Sequence, residues 1–155
     1  MEILETAILT NQQKETIFRL WNQEYAQKLN HKEVSDFEKY LESVKEHFHY
    51  LLVNDSAEIV GWAFKFTRDD DRWFSILVDR TEHGKGKGTL MLNKLKEQEE
   101  LLSGWVVDHE NDKTANGAQY VSPVNFYLKN GFHILPAVRL ETEKLSAVKM
   151  VWVKD

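Results

Sequence analysis

The chain has no cysteine among its 155 residues, which excludes disulfides, a thiolate nucleophile and any Cys-ligated zinc. That absence agrees with a cytoplasmic location, which is the expectation. Long apolar runs are missing too: stretches such as Ile76-Leu77-Val78 are far too short to cross a bilayer, so no membrane partner is expected. No charged-then-apolar leader opens the sequence, and no secretory signal is read. Repeats, low-complexity tracts and Pro/Gly-rich linkers are absent, and the two prolines, Pro123 and Pro136, lie late. These features are expected of one domain over residues 1–155.

A basic surplus is also lacking. The formal net charge of −5 argues against a general nucleic-acid binder. Apolar residues make up 42%, with five Trp and eight Phe, which is core material rather than the composition of a disordered chain. The charge is unevenly spread. Arg80, Lys85, Lys87, Lys94 and Lys96 share their stretch with one acid, Glu82, while acid collects at Asp69 to Asp71, Glu97 to Glu100 and Asp108 to Asp112. A basic island in an acidic chain suggests one anionic ligand, bound in one place.

Periodicity gives the elements. Ile3 to Leu9 read as a strand. Thr10 with Gln13 forms a capping box, after which Ile17, Leu20, Trp21, Tyr25 and Leu29 recur at helical spacing. Ser35 with Glu38 repeats the start signal ahead of Phe37, Tyr40, Leu41 and Val44. Tyr50 to Val53 and Glu58 to Thr67 flank a polar turn and read as a hairpin, and Trp73 to Val78 as a third strand. A helix follows from about Thr89 to Glu100, then a strand at Trp105 to Val107 and a polar loop. Pro123 to Asn130 read as a helix stopped by Gly131. Phe132 to Leu135 and Ala147 to Val153 close as strands. This order is α+β, with a mixed sheet of about six to seven strands and about four helices, not a doubly wound one.

Between the third strand and its helix lies His83-Gly84-Lys85-Gly86-Lys87-Gly88. Strand, glycine-rich turn and helix together build an anion site, because glycines let several N–H groups converge and the helix N-terminus adds partial positive charge. Lys85 and Lys87 add full charges and Thr89 a hydroxyl. A solvated turn is the alternative reading. A P-loop is excluded because Thr89 stands where its second glycine would fall, and the dinucleotide fingerprint because Gly84, Gly86 and Gly88 are spaced evenly by two.

The turn resembles the pyrophosphate turn of the GNAT acyltransferases, Q/R-x-x-G-x-G/A, with Val78 eight residues before Gly86. His83 stands at the Gln/Arg position, a departure from the pattern. A second motif, Phe126-Tyr127-Leu128-Lys129-Asn130-Gly131-Phe132, looks like the family's F-Y-x-x-x-G-F helix end. A third likeness is the hairpin from Leu51-Leu52-Val53 through Ile59-Val60-Gly61-Trp62-Ala63. The resemblance runs from about Tyr50 to Val153 and is thinner over the first two helices. Seven residues before the tyrosine, where the family often has an Asn, this chain has Tyr120.

The resemblance implies a GNAT-like acyl-CoA N-acyltransferase fold and an N-acetyltransferase acting on acetyl-CoA and an amine, without a metal. Leu77, Val78, His83, Gly84, Lys85, Gly86, Lys87, Gly88 and Thr89 would hold the coenzyme. The arm would lie between the Ile76-Leu77-Val78 strand and the Trp105 strand like an added strand. Val78 N–H would polarise the thioester carbonyl, and Tyr127 would protonate the leaving thiolate, a role that suits a phenol. The amine must lose a proton; Asp108 is the first candidate base, with Glu110 and Glu24 as others. For each acid a solvated surface role is the plain alternative, as aromatic core is for Tyr127. His109 between Asp108 and Glu110 lacks metal-site spacing. Acidic stretches suggest a cationic acceptor, and the family's frequent pairing suggests a homodimer. A non-catalytic acyl-CoA-binding module on the same fold is the competing reading, and an interaction domain whose turn meets a nucleic-acid backbone is a more distant one.

Overall fold

Thr10 caps the first helix as its sequence dictates: its hydroxyl accepts from Gln13 N–H (3.1 Å) while Gln13 returns an acceptor to Thr10 N–H (2.9 Å). The computed structural model describes residues 1–155 and runs β1 (Glu2–Thr6), α1 (Asn11–Glu24), α2 (Val34–Glu42), β2 (Lys45–Val53), β3 (Ile59–Arg68), β4 (Asp71–Val78), α3 (Lys87–Lys96), β5 (Leu101–Val106), α4 (Val124–Lys129), β6 (His133–Glu141) and β7 (Ser146–Val153). Seven strands and four α-helices match the expected count.

Several boundaries move. The second helix is capped by Glu33 with Asp36 at its third position, not by Ser35 with Glu38. The pair two residues upstream makes the same reciprocal bonds, so the hydrophobic face is unchanged while the start slips. Leu29 falls outside α1, on a 3-10 turn. Strand β2 starts five residues earlier than Tyr50, at Lys45. Helix α3 begins at Lys87 and ends at Lys96 instead of spanning Thr89 to Glu100, because Leu101 already belongs to β5.

The strands lie in the order β1-β2-β3-β4-β5-β7-β6. All neighbours are antiparallel except β4 and β5. Side chains alternate across the sheet, so β4 serves two cores: Trp73 and Leu77 pack under α1 and α2, while Phe74, Ile76 and Val78 pack under α3 and α4. That double burial is why its sequence loses its polar alternation.

Two buried or half-buried lysines fix the helices beside the site. Lys65 Nζ donates to the Leu95 and Glu97 carbonyls at the end of α3 (both 3.1 Å) and pairs with Glu99 (2.8 Å), a cation where the helix dipole is negative. Lys96 Nζ donates to the Asn130 carbonyl at the end of α4 (2.7 Å), tying α3 to α4.

Candidate active site

Strands β4 and β5 run parallel but pair at a single register position, Trp73 with Ser103. Beyond it they diverge into a fork. Which backbone groups face the fork follows from alternation. Asp79 N–H donates to the Val60 carbonyl on β3 (2.8 Å), so the backbones of Leu77 and Ser75 also turn to β3. Those of Ile76 and Val78 therefore turn toward β5. By the same rule Lys154 N–H on the Glu100 carbonyl (2.9 Å) directs Leu102, Gly104 and Val106 to β7, leaving Trp105 facing the fork.

Opened strands leave carbonyls needing partners, and side chains supply them. His83 Nε2 lies 2.7 Å from the Val78 carbonyl oxygen; because a carbonyl only accepts, Nε2 carries the proton. On the other prong, Ser122 Oγ–H donates to the Val107 carbonyl (2.5 Å). The letter that departs from the family pattern thus has a structural task at the fork.

The glycine turn sits where β4 leads into α3. Gly84 (φ 77°) and Gly86 (φ 78°) are left-handed, the conformation that favours glycine, and a Cβ at either would meet nothing within 4 Å. No side chain caps α3, whose first intrahelical bond is Leu90 N–H on the Gly86 carbonyl (3.1 Å). The N–H groups of Lys87, Gly88 and Thr89 are therefore free of helical partners, beside Lys85 and Lys87. Gly88 differs from the other two glycines: a Cβ there would stand 3.0 Å from Phe126 Cζ. Its smallness serves the α3–α4 contact. We expect Gly88→Ala to cost about 1–3 kcal/mol through overpacking, read as a lower urea midpoint at unchanged m-value; an unmoved midpoint would show that Phe126 yields freely.

Tyr127 is carried on α4, buried against Phe126 (ring centroids 5.1 Å), Phe132 (5.5 Å) and Phe74 (5.9 Å). Its hydroxyl makes no hydrogen bond to the protein. Burial, and then the neighbouring Tyr120 phenol, push its pKa up, so the phenol keeps its proton. Tyr25, which ends α1 and packs edge-on against Trp21 (4.6 Å), is raised by burial first and then by Tyr40, Tyr127 and Tyr120. Tyr120 is pushed up to about 12 by burial and then Asp112. Tyr25 reads from sequence as helix core and Tyr120 as a departure; the fold brings both toward Tyr127. No local pattern could have signalled this convergence.

The three candidate bases are all engaged. Asp108 is gripped by Arg139 of β6 through two bonds of 2.8 and 3.0 Å, which hold its carboxyl below the usual range. A carboxylate so stabilised is a weaker proton acceptor, which counts against Asp108 as the base. Glu110 accepts from Ser122 N–H (3.1 Å) and shapes its own loop. Glu24 accepts from Arg80 N–H (3.1 Å), Arg80 Nε (3.3 Å) and Gln23 (2.7 Å), with His83 3.8 Å away. His109 lies 3.9 Å from Asp112, and no group of three or more potential metal ligands is present.

The polar loop after β5 folds back on itself, with Lys113 paired to Gln119 and Gly117 left-handed (φ 84°). It docks on the α1–α2 connection: Gln27 N–H donates to the Lys113 carbonyl (2.7 Å), and Lys28 pairs with Asp112 (3.3 Å). A cleft of about 530 Å³ opens where this loop faces α1 and the residues after β4, lined by Gln23, Asp79, Arg80, Thr81, Ala115 and Asn116.

The GNAT acetyltransferase domain model matches residues 46–134, more than half the chain, and the protein belongs to that family. No curated protein matches its sequence. Among solved structures it is similar to an aminoglycoside 6′-N-acetyltransferase complexed with coenzyme A, with 14% identity, a TM-score of 0.74, and 99% of this chain and 97% of that one covered. A GNAT-family acetyltransferase from Staphylococcus aureus matches at 16% identity and a TM-score of 0.67, covering 98% and 99%. A phosphinothricin acetyltransferase from Sinorhizobium meliloti, in complex with AcCoA, matches at 10% identity and 0.66, covering 99% and 89%. At such identities these likenesses establish the fold, which is the GNAT fold.

Proposed function

We propose that the protein transfers an acetyl group from acetyl-CoA to a primary amine by direct attack. The carrying observation is the fork: β4 and β5 part after one shared register position, beside a turn whose N–H groups have no helical partner. Two relatives of the same fold were solved with coenzyme A or AcCoA, which supports this choice of donor.

The diphosphate would rest on the N–H groups of Lys87, Gly88 and Thr89, with Lys85 and Lys87 neutralising charge. The pantetheine arm would bond to the backbones of Ile76, Val78 and Trp105 like an added strand. Val78 N–H would donate to the thioester carbonyl as negative charge develops there. The amine nitrogen forms the new C–N bond and the C–S bond breaks. Tyr127 gives its proton to the departing sulfur, and the nitrogen releases one to water, since the nearby carboxylates are already engaged. Tyr127 is then reprotonated from solvent.

An amine panel with acetyl-CoA tests this reading. Thiol release dependent on an amine supports it, whereas coenzyme binding without release would favour a binding module instead. Loss of both would remove the coenzyme from the site.

His83 adds a sharper expectation. An added strand would bond to the Val78 carbonyl, to which His83 already donates, so the imidazole competes with the arm for that acceptor. Removing that competitor with His83→Ala should tighten coenzyme A binding about two- to tenfold, the worth of one hydrogen bond. Adenosine 3′,5′-bisphosphate, which has no pantetheine arm, should bind the variant as it binds the parent. Equal changes for both ligands in calorimetry would place His83's effect on the phosphate turn alone.

A further inference from the structure

Glu24 is the last residue of α1, and its side chain is only 9% exposed. One carboxylate oxygen, Oε2, takes every bond: it accepts from Arg80 N–H (3.1 Å), Arg80 Nε (3.3 Å) and Gln23 Nε2 (2.7 Å). The other, Oε1, receives no hydrogen bond from the protein, although His83 Nε2 stands 3.8 Å away. A carboxylate oxygen only accepts, and one left without a donor in so sheltered a side chain calls for a reason.

The His83 ring is free to supply that donor. Its backbone is held, with His83 N–H on the Arg80 carbonyl (3.2 Å). Its side chain is 58% exposed and makes a single hydrogen bond, from Nε2 to the Val78 carbonyl (2.7 Å). One N–H therefore has two acceptors before it, a carbonyl that it fills and a carboxylate oxygen that stays empty. Reaching the second takes a shift of about 1 Å, to a hydrogen bond of about 2.8 Å. The new bond would be charge-assisted and stronger than the one given up. Without a ligand, the exchange would leave the Val78 carbonyl unpaired in the opened strand. A pantetheine amide that fills this carbonyl removes that cost.

We infer that Glu24 is a positioning residue for coenzyme binding: its Oε1 receives the His83 imidazole when the arm takes the Val78 carbonyl. The arm then displaces the ring without stranding its N–H, and a seated arm adds a tie between α1 and the turn before α3. This rests on the seating of the arm proposed above.

A double-mutant cycle read by calorimetry tests it. In Glu24→Gln the amide oxygen is kept by Arg80 N–H, which turns the NH2 toward His83, donor against donor. Coenzyme A binding should weaken about fivefold, within the worth of one hydrogen bond. His83→Ala should tighten coenzyme A about twofold in the parent but about tenfold beside Glu24→Gln, so that the double variant binds as His83→Ala does. Adenosine 3′,5′-bisphosphate should bind all four proteins alike. Glu24→Asp, which keeps the charge beside Arg80 and shortens the reach to His83, is a second variant in case the first is unstable. Unchanged coenzyme A affinity in both Glu24 variants overturns the inference. So does equal weakening with and without His83, or weakening that extends to the bisphosphate, either of which would leave Glu24 as a support for the turn. Failure to bind coenzyme A in the unaltered protein would instead refute the proposed function.

Discussion

Gly86→Asp is expected to abolish coenzyme A binding while the protein stays folded. The position is left-handed and open, with no atom within 4 Å of where a Cβ would stand, and Asp is among the residues that tolerate that conformation best. A carboxylate at the start of α3 also suits the helix dipole, so stability should change little. The diphosphate meets the reverse. Two like charges about 4 Å apart at an effective dielectric near 20 repel by about 4 kcal/mol, roughly a thousandfold in Kd. Calorimetry with coenzyme A, beside a thermal melt, reads both quantities. Retained affinity would move the phosphate site away from the turn.

Tyr127→Phe is expected to lower kcat about 100-fold or more, within the range for a lost general acid, with coenzyme affinity changed less than about twofold. Because the hydroxyl bonds to nothing in the protein, its removal leaves no orphaned partner and the aromatic packing with Phe74, Phe126 and Phe132 persists. That separates chemistry from folding. Wild-type turnover in the variant would reduce Tyr127 to packing, and a parallel loss of affinity would point to a binding role.

Much of the frame was legible. The α1 cap needed only Thr10 and Gln13, three residues apart, and the Gly131 stop after α4 is equally local. The second cap slipped because Glu33 with Asp36 offers the same reciprocal bonds as Ser35 with Glu38, and sequence carries no measure of which pair the packed helix will use. The ion pair that holds Asp108 was hidden for a different reason. Its partner Arg139 is 31 residues away, on a strand that reaches it only after β6 and β7 have joined the sheet.

The sequence by itself determined the order of strands and helices, the glycine-rich turn before α3 and the aromatic helix that carries Tyr127, because each depends on spacing within a few residues. Tertiary structure alone decided the fork and what closes on it: His83 on the Val78 carbonyl, Ser122 on the Val107 carbonyl, Gly88 as room for Phe126, and Arg139 on Asp108. Those arise where β4 and β5 part after one shared register position. The physical reason is that strand pairing and side-chain capture act between residues distant in the chain, and no local periodicity encodes which distant groups remain without a partner.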